Sequence, residues 1–338
     1  MSQGKVIIHV GGPKTGTTAI QTALAENRNQ LLSLGFLYPG DGLNHVSSIY
    51  PMRKVIGFEN WVSDDADKWK RLCLGVQEWD GSVVISGEAM MAIPLDVINE
   101  IVESIGQKQV EVLITARSLY ELVTSQWQES IKAGDVISLG QYAEELARGP
   151  KHATMSSLIY WLVADYVTPI QRWGQVVGLE NVVVQCVDAT NSDATLREFE
   201  QITAIPSGIL GSSCRSVVNR SLSYSEAELV RSCNEILLDG APSNQHYSTL
   251  GPEVILEILL KKPRTDDAKI QLPTSYYESI APFVNTEVER ILNSGARIVG
   301  DSSLLTRMPQ TVGDSRSSQV KVDLDVVRIV MDHYLSRS

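Results

Sequence analysis

The stretch KVIIHVGGPKTGTTAIQTALAENRNQLLS, residues 5–33, decides the fold. Residues 5–10 (KVIIHV) are a short β-branched run that stops at two glycines, the pattern of a buried strand. Across 17–33 the residues Ile20, Leu24, Leu31 and Leu32 fall at helical spacing, and Gly35 is placed to stop the helix. Strand, glycine-rich loop and helix therefore follow one another directly. A helix that starts straight after such a loop leaves its first N–H groups without intrahelical partners and turns its positive dipole end toward the loop. That geometry suits a phosphate or sulfonate group.

The loop itself reads GGPKTGTT from Gly11 to Thr18. Gly12 and Gly16 let the backbone fold tightly round an anion. Thr17 and Thr18 add hydroxyl donors, and Lys14 adds a mobile positive charge. The spacing fits the first half of G-x-x-x-x-G-K-[ST], but Thr17 stands where that motif needs its lysine. The cation has moved inside the loop.

Further along, Ser82–Ser86, 110–115 and 181–187 are the next strand candidates. Helical patterns occupy Leu95–Ile105, Leu119–Lys132 and 156–173, and strands alternating with helices predict an α/β fold with a parallel sheet flanked by helices. Beyond 190 the pattern is mainly helical, with candidates at 194–201, 224–238, 253–261, 275–293 and 324–335. Residues 240–248 and 262–269 read as loops, and 313–318 as a linker.

Composition narrows the classes. The 338 residues are 43% hydrophobic and 20% charged, an ordinary globular balance. The net charge of −11 argues against general nucleic-acid binding, although a few local cations and backbone N–H groups can still hold a small anion. Cys73, Cys186, Cys214 and Cys233 form no C-x-x-C pair, which removes zinc-ribbon and thioredoxin-type readings and leaves reduced, buried thiols. Apolar stretches fall short of the ~18 residues a membrane span needs. A first strand starting by Lys5 leaves no room for a signal peptide. The expectation is a cytoplasmic protein, not an integral membrane protein.

The run P-K-T-G-T-T, from Pro13 through Lys14, Thr15, Gly16 and Thr17 to Thr18, resembles the 5′-phosphosulfate loop of the sulfotransferases that use 3′-phosphoadenosine 5′-phosphosulfate (PAPS), most of all in their bacterial branch. The resemblance is good over about the first 130 residues and loose around Asn219. It implies a P-loop NTPase-like sulfotransferase architecture with a helical C-terminal part. In that family a strand end delivers an Arg and the next helix a Ser that bind the 3′-phosphate; Arg117 and Ser125 match, eight positions apart. Arg forks onto phosphate oxygens and a short hydroxyl completes the cradle. Arg220, in NRSLS, matches a basic loop that closes over the 3′-phosphate, though the R-K-G triplet of the animal enzymes is missing. The same segment also reads as a serine cap for the helix at Tyr224.

The implied reaction moves a sulfonate from PAPS to a hydroxyl or amine of a small-molecule, glycan or lipid acceptor, with no metal. It needs a cation on the leaving phosphate, which Lys14 supplies, and a general base on the acceptor. Glu88 follows a strand end in SGEAMM, His45 lies in GDGLNHVSS, and both remain candidates, with Asp41 weaker. His9 lies inside the first strand and reads as structural. One sulfotransferase domain is expected over 1–312, with a nucleotide core at about 1–135 and 180–235, acceptor lids at about 37–80 and 239–273, and a linker and helix at 313–338. Two rival readings remain: a nucleotide kinase with an aberrant loop, disfavoured by Thr17, and a non-catalytic nucleotide-binding relative. The oligomeric state is not legible.

Overall fold

The computed structural model describes residues 4–12, 14–49, 67–106, 108–211, 221–240, 259 and 270–309. Pro13, Arg220, the linker at 313–318, the last predicted helix at 324–335 and nearly all of 253–261 lie outside the described residues. The strands among them are β1 (Val6–His9), β2 (Phe36–Leu37), β3 (Ser82–Ser86), β4 (Val110–Ala116), β5 (Val182–Cys186) and β6 (Arg297–Val299). They form one sheet in the order β2-β3-β1-β4-β5-β6, with every pairing parallel. The predicted α/β class with a parallel sheet is what the chain adopts.

The described helices are α1 (Thr17–Glu26), α2 (Arg28–Ser33), α3 (Val46–Ile49), α4 (Lys68–Glu78), α5 (Leu95–Ile105), α6 (Leu119–Lys132), α7 (Leu139–Ala147), α8 (Met155–Ala164), α9 (Val167–Val177), α10 (Ser192–Thr203), α11 (Tyr224–Gly240) and α12 (Thr274–Leu292). The chain divides into two units. The first joins Met1–Leu119, Leu162–Ser216 and Asn285–Arg307 and holds all six strands. Ile7, Val84, Leu113 and Val183 point from one face of the sheet into a cluster with Ile20 and Leu24 of α1 and Leu196 and Phe199 of α10. On the other face α9 packs on β4 and β5, and α5 packs on α9. Covered on both faces, the central strands carry apolar residues at successive positions instead of alternating ones.

The second unit joins Tyr120–Trp161, Val217–Val284 and Met308–Ser338, and its described part is helical. Trp127 stacks on Tyr224, Trp161 meets Phe283 edge to face, and Asn234 Nδ2 donates to the Ile131 and Asp135 carbonyls at 2.8 Å each. Ser223 caps α11: its hydroxyl accepts from Glu226 N–H and the Glu226 carboxylate accepts from Ser223 N–H.

Two predicted helices are broken. The run 17–33 divides at Asn27, whose side-chain amide donates back to the Ala23 carbonyl at 2.8 Å. The run 156–173 divides at Asp165–Tyr166. There Asp165 accepts from Thr168 N–H, and the buried Glu287 carboxylate accepts from the N–H groups of Tyr166 and Val167, starting α9 afresh. Burial pushes the Glu287 carboxyl pKa up. Among the described residues no helix is long and apolar enough to cross a membrane.

Topology sets the place of the glycine loop. β1 lies between β3 and β4, and the chain builds β2 and β3 on one side before crossing to β4, β5 and β6 on the other. The loop after β1 therefore occupies the switch point of the sheet, at the carboxyl ends of its strands, where open α/β sheets bind ligands.

Candidate functional site at the carboxyl edge of the sheet

The backbone follows β4 past the end of β1: Val10 N–H donates to Leu113 O and Gly12 N–H to Thr115 O. At Gly11 no side chain fits. A Cβ would stand 2.6 Å from both Thr115 Oγ1 and Thr17 Oγ1. Lys14 then takes φ 65°, a left-handed conformation that costs a non-glycine residue about 1–3 kcal/mol. Gly16 takes φ 83° without that cost and leads into α1.

The loop carbonyls are turned onto protein donors. Gly12 O accepts from Thr15 N–H at 3.3 Å, Thr15 Oγ1 at 2.6 Å and Thr17 Oγ1 at 3.1 Å. Lys14 O accepts from Arg117 Nη1 at 2.7 Å, which holds the left-handed residue in place. With these two acceptors engaged, and the N–H groups of Gly12 and Thr15 spent on Thr115 O and Gly12 O, the start of α1 is the polar face the loop offers an anion. The hydroxyl of Thr17, expected with that of Thr18 on that face, instead donates inward to Gly12 O, as does that of Thr15; both residues are buried. Lys14 and Thr18 are half-buried.

Glu88 opens a 3₁₀ turn, Glu88–Met91, directly after β3, and is half-buried. Arg117 directly follows β4 and is also half-buried; its own N–H donates to Tyr166 OH at 3.4 Å. Because β3, β1 and β4 are neighbours, parallel and in register, the sheet brings Glu88, the Lys14 loop and Arg117 to one edge. Ser125 lies half-buried on α6, in the second unit. Asp41 is exposed.

His45 requires a correction. It is buried, and both ring nitrogens are committed to the backbone: Nδ1 accepts from Ser86 N–H at 3.0 Å and Nε2 lies 2.9 Å from Pro39 O. Burial lowers its pKa and keeps it neutral. A ring whose lone pair already accepts a hydrogen bond has none to take an acceptor proton. His45 instead fixes Ser86, two residues before Glu88.

His9, read from the sequence as structural, lies beneath the loop. Its Nδ1 is 2.9 Å from Ser86 Oγ, its Nε2 is 3.5 Å from Thr115 Oγ1, and Thr115 Oγ1 is 2.6 Å from Thr15 Oγ1. Gln21 Nε2 donates to Ser86 Oγ at 3.1 Å. Burial drives the His9 pKa down to about 3. The signal available in sequence was a polar residue in an otherwise apolar strand, which the sheet sets level with Ser86 on β3 and two residues short of Thr115 on β4.

Beyond β5, Asp188 accepts from Arg307 Nη2 at 2.8 Å and from Thr190, which holds its carboxyl well below the usual range. Among the described residues no group of three His, Cys, Asp or Glu side chains could hold a metal ion.

No family model matches the chain, and no curated protein matches it. Among solved structures it is similar to a crystal structure of a sulfotransferase from Alicyclobacillus acidocaldarius, with 18% identity and a TM-score of 0.40, over 70% of this chain and 96% of that one.

Proposed function

We propose that the protein transfers a sulfonate group from PAPS to a hydroxyl or amine of a small-molecule, glycan or lipid acceptor. The observation that carries the reading is the convergence of three neighbouring strand ends, which place the Lys14 loop, Glu88 and Arg117 at the switch point of one parallel sheet. In this reading the start of α1 cradles the 5′-phosphosulfate. Lys14 neutralises charge as the bond between sulfur and the bridging phosphate oxygen breaks. Glu88 takes the acceptor proton as the new S–O or S–N bond forms. Arg117 binds the 3′-phosphate.

Arg117 then has two tasks, since its Nη1 also holds the Lys14 carbonyl. Glu88 is preferred as base because the lone pair of His45 is taken by Ser86 N–H. The test is Glu88→Gln. Turnover with PAPS should fall by about 10²–10⁴-fold while affinity for the product nucleotide is kept. Near wild-type turnover in that variant would remove Glu88 from the reaction.

A further inference from the structure

Beneath the glycine loop, hydrogen-bond directions are fixed by counting protons. Thr15 Oγ1 and Thr17 Oγ1 both donate to Gly12 O, so Thr15 has no second proton for Thr115. Thr115 Oγ1, 2.6 Å away, must therefore donate to Thr15. Its single proton is then spent, and His9 Nε2 must be the N–H that donates to Thr115. His9 Nδ1 is left as the acceptor, which makes Ser86 Oγ its donor. Ser86 Oγ in turn accepts from Gln21 Nε2–H. The result is one directed chain, from Gln21 to Ser86 to His9 to Thr115 to Thr15 to the Gly12 carbonyl. Gln21, Ser86, His9, Thr115, Thr15 and Thr17 are all buried. Phe199 lies edge-on to the imidazole at 5.4 Å.

We propose that His9, as the neutral Nε2–H tautomer, is the positioning residue of the glycine loop. It orients Thr115, hence Thr15, so that the Gly12 carbonyl is held inward and the N–H groups at the start of α1 are left to face the ligand. The same ring ties the loop to Ser86, two residues before Glu88, so loop and base share one internal reference. The choice of ligand rests on the phosphosulfate reading above; the positioning itself does not. Reversal of the chain would take the Thr15 proton away from Gly12 O and leave those two oxygens 2.6 Å apart with no hydrogen between them. The low pKa of the buried ring is consistent with a tautomer that stays uncharged.

Two substitutions separate the nitrogens. In His9→Gln the amide nitrogen replaces Nε2 and keeps a donor for Thr115. In His9→Asn the amide oxygen replaces Nδ1 and keeps only the Ser86 side. The experiment records imidazole ¹⁵N shifts of the wild type, amide hydrogen exchange across 11–18, and affinity for 3′-phosphoadenosine 5′-phosphate, on the full chain. The wild-type ring should show a protonated Nε2 and a bare Nδ1. Loop amides in His9→Asn should exchange about tenfold faster, and those in His9→Gln within about threefold of wild type, for one lost hydrogen bond. Nucleotide affinity should follow the same order. An Nδ1–H tautomer, or equal effects of the two variants on the loop, overturns the proposal. If neither His9 variant folds, Thr115→Ser against Thr115→Val replaces them, and equal loop exchange in that pair overturns it as well. A wild type that binds no nucleotide defeats the sulfotransferase reading, while the exchange data still decide the role of His9.

Discussion

The two ends of the sheet are built from the same strands by opposite chemistry. At the amino end, Lys5 Nζ reaches the Glu111 carboxylate at 3.1 Å, with 27% and 15% of the side chains exposed, and Arg297 approaches the same carboxylate at 4.0 Å. Gln109 donates to Asn181 at 3.1 Å in the open. At the carboxyl end, imidazole, amide and hydroxyl groups are joined under the glycine loop with no exposed member. Water-reachable ion pairs contribute about 0–1 kcal/mol and tolerate rearrangement. A buried neutral chain does not, because removing one partner leaves a desolvated group that costs about 1–3 kcal/mol. The amino end tolerates change; the carboxyl end specifies one backbone conformation.

Perturbing the two ends should expose this asymmetry. Gly11→Ala should have the largest effect on stability, about 2–3 kcal/mol in denaturant unfolding, because its Cβ would stand 2.6 Å from Thr115 Oγ1 and 2.8 Å from His9 Nε2, neither of which can move without breaking the chain. A change under 0.5 kcal/mol would mean the network yields. Next is the pH dependence. His9 and His45 are kept neutral by burial, His9 down from 6.5 to about 3. Below about pH 6.5 the unfolded chain binds protons that the folded chain refuses, so stability is complete above that value and falls as pH drops. His9→Gln removes one such group, and its stability curve between about pH 6 and 4 should be shallower than wild type by about 1.4 kcal/mol per pH unit. Parallel curves would mean that His9 is charged in the fold. The smallest effect belongs to the amino end: Lys5→Ala should cost less than about 1 kcal/mol and lose its salt sensitivity.

What the sequence revealed follows the same division. The central strands were legible because burial on both faces leaves long apolar runs: β3 was placed at its true limits, and β1, β4 and β5 within a residue. The edge strands were not, since β2 has two residues and β6 three, too short for any period. Helix α7 was missed although Ser138 and Gln141 form a capping box, and the start of α9 was missed although Asp165, Thr168 and Pro169 mark a helix beginning. Glu287 completes that start from 121 residues away, which no local pattern contains. At the site, the positions of the loop after β1, of Glu88 after β3 and of Arg117 after β4 were readable because strand ends are local features. The roles of His45 and His9 were not, because each is set by partners on other strands: Ser86 for both, and Thr115 for His9.

Nucleotide selectivity tests the central claim most directly. Calorimetry on the wild-type chain should show 3′-phosphoadenosine 5′-phosphate binding about 30–150-fold more tightly than AMP, the worth of roughly 2–3 kcal/mol from charge-assisted bonds to the 3′-phosphate. Equal affinity for the two nucleotides would contradict a site built for PAPS at this edge of the sheet.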